Sequence, residues 1–422
     1  MGKSSHFLGQ PVYSQVIKLL DKPEIVKISR QNGGERYIKR FDAWTHLVTM
    51  LYAVIMRHDS LREISVSLLA EARKLSHLGI SIMPTRSTLS DANARRPEKI
   101  FEAIYRQLYG RYRQELISDS RGRLAEKWMK RLQIIDSTTI SLFSNLLFKG
   151  VGRNPKTGKK KGGIKVHTVI HANEGVPSDV RFTSAANDSF MLKPANFHDG
   201  DVLAMDRAYI DYSKLEELTK RGVTYVTKMK KNILYVLWED FMWQNLEGMM
   251  EYRIRHVTFH KPNNDGSQIA HHARIISYVD IRKHRVIDLL TNDMDSMPDE
   301  IVDIYRQRWE IELLFKQIKQ NFPLRYFYGE SRNAIKIQIW VILIANLLLM
   351  VMQSRLKRHW SFSGLATMAR LILMYYIDLY SLMNQPDKDW QQLLSEASND
   401  PPEPTLFDKG GLGNQKNKLI CI

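Results

Sequence analysis

The first quarter of the chain carries apolar residues at helical spacing. Segments such as YSQVIKLL and FDAWTHLVTMLYAVIM place them every three or four residues, and no stretch in this region alternates as a strand does. Ser60 and Glu63 open a further segment with the spacing of an N-cap and its capping-box partner. These patterns predict an all-helical N-terminal region over residues 1–125.

A turn at residues 84–90 leads into a segment of this region that carries Arg86, Arg95 and Arg96. A turn followed by a helix with basic residues near its start is typical of a helix that docks on DNA. A solvated helix end has the same composition, so the pattern leaves both interpretations open.

The period of the apolar residues changes near residue 130. The runs LQIID and VLAMD are short and apolar, and each ends in an acid, Asp136 or Asp206. We expect each run to be a buried strand whose last residue enters a cleft. Neighbouring segments are predicted as strands at 164–171, 178–183 and 223–227 and as a helix at 212–221.

The second half of the chain contains a polar, aromatic-bearing stretch followed by long helical patterns. Residues 228–295 include strand-like pieces such as RIRHVTF and are expected to form an insert. Helices are predicted at 298–320, 337–358 and 362–382, and the Pro-, Gly- and Asn-rich end of the chain, 386–422, is expected to be loose.

The charge balance narrows the possible partners. The chain has 62 Lys and Arg against 45 Asp and Glu, a net charge of +17, and a pI near 9.6. An excess of this size favours a polyanion, with nucleic acid ahead of an anionic membrane surface, although a basic protein with a solvated surface is an alternative.

The cysteine content and the apolar segments of the sequence bear on the cellular compartment and on membrane association. The one cysteine, Cys421, excludes a disulfide framework and a Cys-based zinc site within the chain, which fits a reducing cytoplasm, and the first ten residues lack the apolar stretch of a secretory signal. The apolar segment 337–352 is shorter than the roughly 20 residues of a spanning helix and contains Gln338 and Asn346. We expect a helix buried in a globular core, with a membrane protein as the alternative.

Three acids are candidates for metal-dependent phosphodiester chemistry. Asp136 and Asp206 end strands, and carboxylates held at rigid edges are ligands that Mg²⁺ prefers. In the predicted helix 298–320, Glu312 shares an arc of about 60° with Tyr305, Arg308 and Lys319, because successive residues are about 100° apart. Such a face could hold both a metal and DNA phosphates. The alternative is a solvated face with Arg308 and Glu312 as an i,i+4 ion pair.

The four-residue pattern resembles a known signature. Tyr305-x2-Arg308-x3-Glu312-x6-Lys319 is similar to the YREK signature of the IS4-family DDE transposases of insertion sequences, with every spacing met. MDRAY around Asp206, IDST around Asp136, and the stretches GIKVH and NDS between them also resemble that family. The likeness extends from the N-terminal helices to about residue 385.

The resemblance implies an α/β fold with an RNase H-like core, a mixed sheet flanked by helices. It implies that Asp136, Asp206 and Glu312 bind two Mg²⁺ ions, for which Mn²⁺ can substitute, and carry out catalysis. The predicted division of the chain is a helical DNA-binding domain at 1–125, the two parts of the core at 126–227 and 296–385, a β-rich insertion domain at 228–295 and a flexible tail at 386–422.

The resemblance also implies contacts with double-stranded DNA, both the terminal inverted repeats of the element and the target. Tyr305, Arg308 and Lys319 are the expected contacts around the site. Since relatives stack an insert-domain Trp on a flipped base, Trp238 and Trp243 are candidates for that role, with packing in a core as the alternative. Paired ends imply a dimer in the DNA complex.

Further basic residues are predicted to contact DNA. The glycine-rich segment after the first acid is a basic loop that could close over DNA, with a solvated loop as the alternative. The DNA-contact candidates outside the signature are Arg207, Lys165, Lys159, Lys160 and Lys161.

The sequence therefore predicts a cytoplasmic, nucleoid-associated bacterial transposase that binds its own terminal repeats and cuts and joins DNA. Two alternatives remain open: an RNase H-like nuclease without strand transfer, and a catalytically silent DNA-binding protein.

Overall fold

A computed structural model describes residues 9–36, 38, 40–117, 127–141, 163–183, 192–245, 250–262, 268–280 and 284–388. Within these ranges, helices precede a nine-stranded mixed sheet that has further helices packed on it. The predicted α/β class is confirmed. The lysines at 159–161, the NDS segment at 187–189 and the chain after residue 388 lie outside the described residues.

Helices make up the described part of the N-terminal region, as predicted. They are α1 Val12–Ile17, α2 Lys22–Gln31, α3 Ala43–Met56, α4 Leu61–Ala70, a 3₁₀ helix at Ala72–Leu78, α5 Arg86–Arg95 and α6 Lys99–Leu116. The predicted N-cap is present, since the Ser60 hydroxyl accepts the Glu63 backbone N–H at 3.2 Å. The Glu63 carboxylate in turn accepts the backbone N–H of Asp59 at 2.7 Å.

The sheet begins with five strands built around a parallel centre. They are β1 Leu132–Ser141, β2 Gly163–His171, β3 Pro177–Thr183, β4 Val202–Met205 and β5 Thr224–Lys228. Their order in the sheet is β3-β2-β1-β4-β5; β1, β4 and β5 are parallel, and β2 is antiparallel to both of its neighbours. The helix α7, Tyr212–Lys220, connects β4 to β5.

The prediction that the first strand ends at Asp136 is wrong. β1 continues to Ser141 because β2 pairs with it along its whole length, whereas its parallel partner β4 ends at Met205. Asp136 is therefore the first residue of β1 beyond the end of β4. Asp206 directly follows β4, as predicted.

Four longer strands extend the same sheet. They are β6 Val236–Gln244, β7 Glu251–Pro262, β8 Gln268–Asp280 and β9 Arg285–Thr291. β9 pairs antiparallel with β5, and β8, β7 and β6 follow in order to the edge. Residues 228–295 thus continue the central sheet; the predicted domain boundaries stay a prediction.

All three helices predicted after the sheet have other bounds in the structure, and the one expected over 337–358 spans Arg332–Ser354. The helix expected over 298–320 consists of α8, Pro298–Gln307, and α9, Trp309–Asn321, because the Arg308 N–H bonds to the Tyr305 carbonyl in a tightened three-residue turn. The helix expected over 362–382 ends as α11, Phe362–Ile372, and a short α12, Leu379–Asn384, follows it.

The helix α10, Arg332–Ser354, lies at the centre of the structure. It is long and apolar enough to cross a membrane, but 89% of its most apolar window is buried within the protein. Gln338 and Asn346 are fully buried on it and have protein partners: the Gln338 amide bonds to Pro323, Tyr326 and Tyr328, and Asn346 accepts from Gln317. This burial agrees with the prediction of a core helix.

One of the three arginines around α5 is structural. Arg96 is 4% exposed, and its guanidinium donates to the carbonyls of Gly34 and Phe41. Arg86 and Arg95 are exposed. The two interpretations of this helix, a DNA-docking helix and a solvated helix end, therefore remain open for Arg86 and Arg95 but not for Arg96.

Candidate active site

The end of β4 brings the first two acids together. Ile135 pairs with Met205 in the parallel ladder, and Asp136 and Asp206 are the next residue on each strand. Adjacent strands are about 4.8 Å apart, so the two carboxylates leave neighbouring positions at the same edge. One Asp206 oxygen accepts the Ala208 N–H at 2.9 Å, which fixes the side chain at the start of a 3₁₀ turn.

Arg308 joins the third acid to this pair. Its Nη1 lies 3.3 Å from Asp136 Oδ2, and its Nη2 donates to Glu312 Oε1 at 2.5 Å. One guanidinium therefore binds acids that are 176 residues apart in the chain (312 − 136). Because α9 packs on the face of the sheet that carries Asp136, the spacing of the signature places Glu312 beside the strand ends.

Charge is concentrated in this cluster. Burial raises the pKa of Asp136 to about 6, and the negative charges of Asp206 and Glu312 act in the same direction, while the Ser137 N–H and Arg308 lower it. Burial alone lowers the pKa of Arg308, but Tyr305, Glu312 and Asp136 outweigh that effect and raise it. All three acids are thus within electrostatic reach of one another.

The remaining signature residues flank the acids. The Tyr305 ring lies 5.7 Å from the Arg308 guanidinium carbon, and burial raises the pKa of its phenol. Lys319 donates to Thr138 Oγ1 at 2.6 Å, two residues beyond Asp136 on the same face of β1, and partial burial lowers its pKa. The four residues predicted to share a face do lie along one side of the cluster.

The expected alternative, an Arg308–Glu312 ion pair, is present, but it is not a solvated pair. The Arg308 side chain is only 15% exposed, and it also binds Asp136 across the strand–helix boundary. Because Arg308 is mostly buried and is shared by two acids, the arrangement differs from the surface pairs common on helices.

A cavity of about 840 Å³ opens beside the cluster. Asp206, Arg207, Tyr305 and Arg308 line it. The other side chains on its wall include Lys228, Arg285, Arg306, Tyr278 and Trp309. The cavity therefore offers cations and aromatic rings next to the acids, the combination that binds a nucleic-acid strand.

Comparison with known proteins assigns the family. The Transposase DDE domain matches residues 127–348, which is more than half of the chain and includes all three acids. A domain of unknown function (DUF4372) matches residues 8–81. The chain belongs to the DDE transposases.

Individual proteins to which the chain is similar are also described as transposases. A putative transposase of Sinorhizobium fredii is 28% identical over 66% of this chain and 74% of its own length. A probable transposase for insertion sequence element IS5377 of Geobacillus stearothermophilus is 25% identical over 55% of this chain and 59% of its own length. A putative transposase for insertion sequence element IS4SA of Synechocystis is 28% identical over 62% of this chain and 70% of its own length. The transposase predicted from the sequence is confirmed at the level of the insertion-sequence DDE family.

Membership in this family accounts for the centre of the sheet. DDE domains have an RNase H-like fold, and the order β3-β2-β1-β4-β5 with β2 antiparallel is the mixed sheet expected for this transposase. The family also acts on DNA by cleavage and strand transfer and in general uses divalent metal ions.

The acids of this transposase suit such ions chemically. Asp136 on β1, Asp206 directly after β4 and Glu312 on α9 supply carboxylate oxygens, which are the hard donors that Mg²⁺ prefers. In the described residues, no three acidic, histidine or cysteine side chains are arranged closely enough to enclose an ion. The Arg308 guanidinium lies between Asp136 and Glu312 and binds both.

Other predicted DNA contacts of the transposase are less close to the acids. Lys165 pairs with Thr139, so its side chain lies on the opposite face of the sheet from Asp136 and Thr138. Trp243 packs against the core and lies 5.6 Å from the Tyr252 ring. Trp238, 65% exposed, is on the edge strand β6 and does not line the cavity beside the acids.

Sequence reasoning missed residues of this transposase that the fold brings to the cavity. Trp309 is 56% exposed and follows Arg308 directly, so its position beside the signature was an available signal. Lys228 and Arg285 reach the cavity because β9 pairs with β5, and no local sequence pattern predicts that pairing.

Proposed function

We propose that this chain is a Mg²⁺-dependent transposase that binds the terminal inverted repeats of its own insertion sequence, cuts the DNA at the element's ends and joins them to a target. The observation that carries the proposal is the sharing of Arg308 by Asp136 and Glu312, with Asp206 at the adjacent strand end. The YREK spacing supports the IS4 family in particular.

Asp136, Asp206 and Glu312 are the proposed ligands of two Mg²⁺ ions, with Mn²⁺ able to substitute. When bound, such ions activate the attacking oxygen and stabilise the leaving oxygen of an in-line displacement at phosphorus. The protein's own contribution is to hold the three carboxylates at rigid positions, on β1, directly after β4 and on α9.

Cations around the acids are proposed to bind the DNA backbone. Arg308 already binds carboxylates and would exchange them for a phosphate, to which its planar fork is equally suited. Tyr305 and Arg207 would bind neighbouring phosphates along the cavity, and Lys319, which donates to Thr138 on β1, would bind a phosphate on the other side of the acids. Lys165 would contact DNA on the face of the sheet opposite Asp136, and Lys159, Lys160 and Lys161 are further proposed DNA contacts.

The proposed assembly is a dimer on two paired ends, acting on nucleoid DNA in the bacterial cytoplasm. Two ends of one element must be held together for the element to move as a unit, and each end needs an active site.

Replacing Arg308 with glutamine is expected to tighten binding of Mn²⁺ to the DNA-free protein by about tenfold. The Arg308 guanidinium competes with the metal ion for the acids. A unit charge a few ångströms away changes the binding free energy by an amount on the order of 1–4 kcal/mol. Titration followed by the electron paramagnetic resonance of free Mn²⁺ measures this. Arg306→Gln is the control, since Arg306 is 60% exposed and pairs with Asp303. Unchanged or weaker binding in Arg308→Gln would show that the guanidinium does not block the ion site.

The test of the proposed function is strand joining. Purified protein is incubated with Mg²⁺, a duplex carrying the element's end and a supercoiled target plasmid. We expect insertion of the labelled end into the plasmid. Cut ends without joined products would indicate a nuclease, and salt-sensitive binding without cutting would indicate a silent DNA-binding protein.

A further inference from the structure

A threonine hydroxyl on β1 lies close to the acids. Thr138 is the second residue after Asp136 in the segment IDST, and alternate residues of a strand point to the same face of the sheet. At about 3.3 Å per residue, the two side chains leave β1 about 7 Å apart. The Thr138 hydroxyl is therefore a neighbour of the acid cluster on the catalytic face of the sheet.

This hydroxyl binds the last cation of the signature. Lys319 Nζ donates to Thr138 Oγ1 at 2.6 Å, which joins α9 to β1 beyond the acids. In the part of the chain that the structure describes, neither side chain forms a second hydrogen bond or an ion pair. The position of the Lys319 ammonium thus depends on one hydroxyl.

Helix geometry explains how Lys319 reaches β1 at this point. It follows Glu312 by seven residues, which is about two turns and about 10 Å along α9, on nearly the same side of the helix. Helical side chains lean toward the N-terminus of their helix, so the lysine stem runs back toward Glu312. Phe315 and Ile318 line a small cavity together with Thr138 and Lys319, and they give the stem apolar neighbours.

The two signature cations differ in how their charges are compensated. Arg308 binds the carboxylates of Asp136 and Glu312, which offset its positive charge. Lys319 binds a neutral hydroxyl, which orients the ammonium without offsetting its charge. An ammonium has three N–H donors, and Thr138 takes one of them. With respect to the described residues, Lys319 therefore has an uncompensated charge and two donors to offer an anion beside the acids.

A bond of this kind prepares a lysine for binding. The flexible four-carbon stem of a lysine loses rotamer freedom when its ammonium is held in one place. If a hydroxyl already restrains the ammonium in the DNA-free protein, less of that freedom is lost when a phosphate binds. The Thr138 hydroxyl would accordingly increase the affinity of Lys319 for a phosphate without contacting the phosphate itself.

We propose that Thr138 is a positioning residue, whose hydroxyl holds the Lys319 ammonium beside Asp136 in place for a phosphate of the DNA strand that is cut. The assignment of Thr138 rests on the proposed function and adds to it a residue that acts through Lys319. The phosphate lies on the other side of the acids from the cavity that Arg207 and Arg308 line. The DNA strand is then held on both sides of the bond that reacts.

Matched substitutions on β1 of the full chain test this role. Thr138→Val keeps the branched shape and strand preference of threonine but removes the hydroxyl. Thr138→Ser keeps a hydroxyl. Thr139→Val is the control, because Thr139 is exposed and lies on the opposite face of the same strand. Binding of a fluorescein-labelled duplex of the element's end is followed by anisotropy in EDTA, and thermal unfolding is measured for every variant.

We expect Thr138→Val to bind the duplex about fivefold more weakly than the wild type, the effect of losing one hydrogen bond of ordinary strength. Thr138→Ser and Thr139→Val should bind within about twofold of the wild type, because each leaves the bond to Lys319 possible. The unfolding temperature of Thr138→Val should match that of Thr139→Val, since valine fills the same space on the strand.

A double-mutant cycle shows whether Thr138 acts through Lys319. Lys319→Met removes the ammonium and should weaken binding by about tenfold, as for the loss of a phosphate contact. Adding Thr138→Val to Lys319→Met should cause no further loss, because the hydroxyl then has no ammonium to hold. A further fivefold loss in the double variant would show that Thr138 acts by another route and would overturn its assignment.

Other outcomes separate this assignment from the proposed function. Wild-type binding by Thr138→Val, or equal losses in Thr138→Val and Thr139→Val, would overturn the positioning role and leave the proposed function intact. Weaker binding together with a lower unfolding temperature than that of Thr139→Val would assign the hydroxyl to stability instead. Cleavage in Mg²⁺ that is unaffected by Glu312→Gln would reject the proposed active site, whatever the affinities of the Thr138 variants.

Discussion

Replacing Asp136 with asparagine is expected to reduce strand cleavage at the element's end by about a thousandfold or more. Asparagine keeps the shape of the side chain but removes the charge that binds a divalent ion, and loss of a metal ligand removes several kcal/mol of transition-state stabilisation. Single-turnover cleavage of an end-labelled duplex at saturating protein and Mg²⁺ measures the rate. Asp206→Asn and Glu312→Gln should have effects of similar size.

A neighbouring acid provides the control for this prediction. Asp303 on α8 is exposed and pairs with Arg306, outside the acid cluster. Asp303→Asn should cut within about threefold of the wild type, because an exposed pair contributes little. Cleavage by Asp136→Asn at the rate of Asp303→Asn would remove Asp136 from the active site.

Replacing Trp340 with alanine is expected to lower the free energy of unfolding by about 3–5 kcal/mol, the usual cost of deleting a large aromatic from a core. Trp340 is 1% exposed, and its ring contacts Tyr105 on α6 and Phe182 on β3. Its Nε1 donates to Glu98 Oε2 at 2.9 Å, so it also anchors the N-terminal helices to α10.

Urea unfolding followed by circular dichroism measures this loss. Trp309→Ala is the matched control, because Trp309 is 56% exposed and its truncation leaves no buried cavity. A loss below about 1 kcal/mol for Trp340→Ala, or an equal loss for the control, would show that α10 is not the packing centre described above.

Local chemistry explains why the site could be predicted from the sequence. In a helix the positions of Tyr305, Arg308, Glu312 and Lys319 are set by the backbone repeat, so their spacing alone placed them on one side. The tightened turn at Arg308 does not separate them, because Arg308 keeps helical backbone angles. Asp136 and Asp206 could be located because each follows a run of buried apolar residues.

Pairing between distant segments explains what could not be predicted. β1 extends past Asp136 because β2, whose residues lie about 30 positions later, supplies hydrogen bonds after β4 has ended. Lys165 is on the face opposite Asp136 because of the register of that ladder, and a register cannot be deduced from one strand alone. Similarly, the cavity beside the acids depends on β9 joining β5.

The arginines near α5 illustrate the same limit. Composition marks Arg95 and Arg96 equally, but only packing separates them: Arg96 turns inward to the carbonyls of Gly34 and Phe41, and Arg95 stays exposed. The loop that carries Arg36 and Arg40 has no motif in the sequence, and only the fold brings it beside α5.

The convergence of Asp136, Asp206 and Glu312 on shared metal ions can be tested by affinity cleavage of the polypeptide. Fe²⁺ is exchanged for Mg²⁺ in the protein–DNA complex, and ascorbate with peroxide then generates hydroxyl radicals at the bound ion. We expect backbone cuts near residues 136, 206 and 312 together, suppressed by excess Mg²⁺ and lost in Asp206→Asn. Cuts near only one of these positions, or at unrelated positions that Mg²⁺ does not suppress, would contradict it.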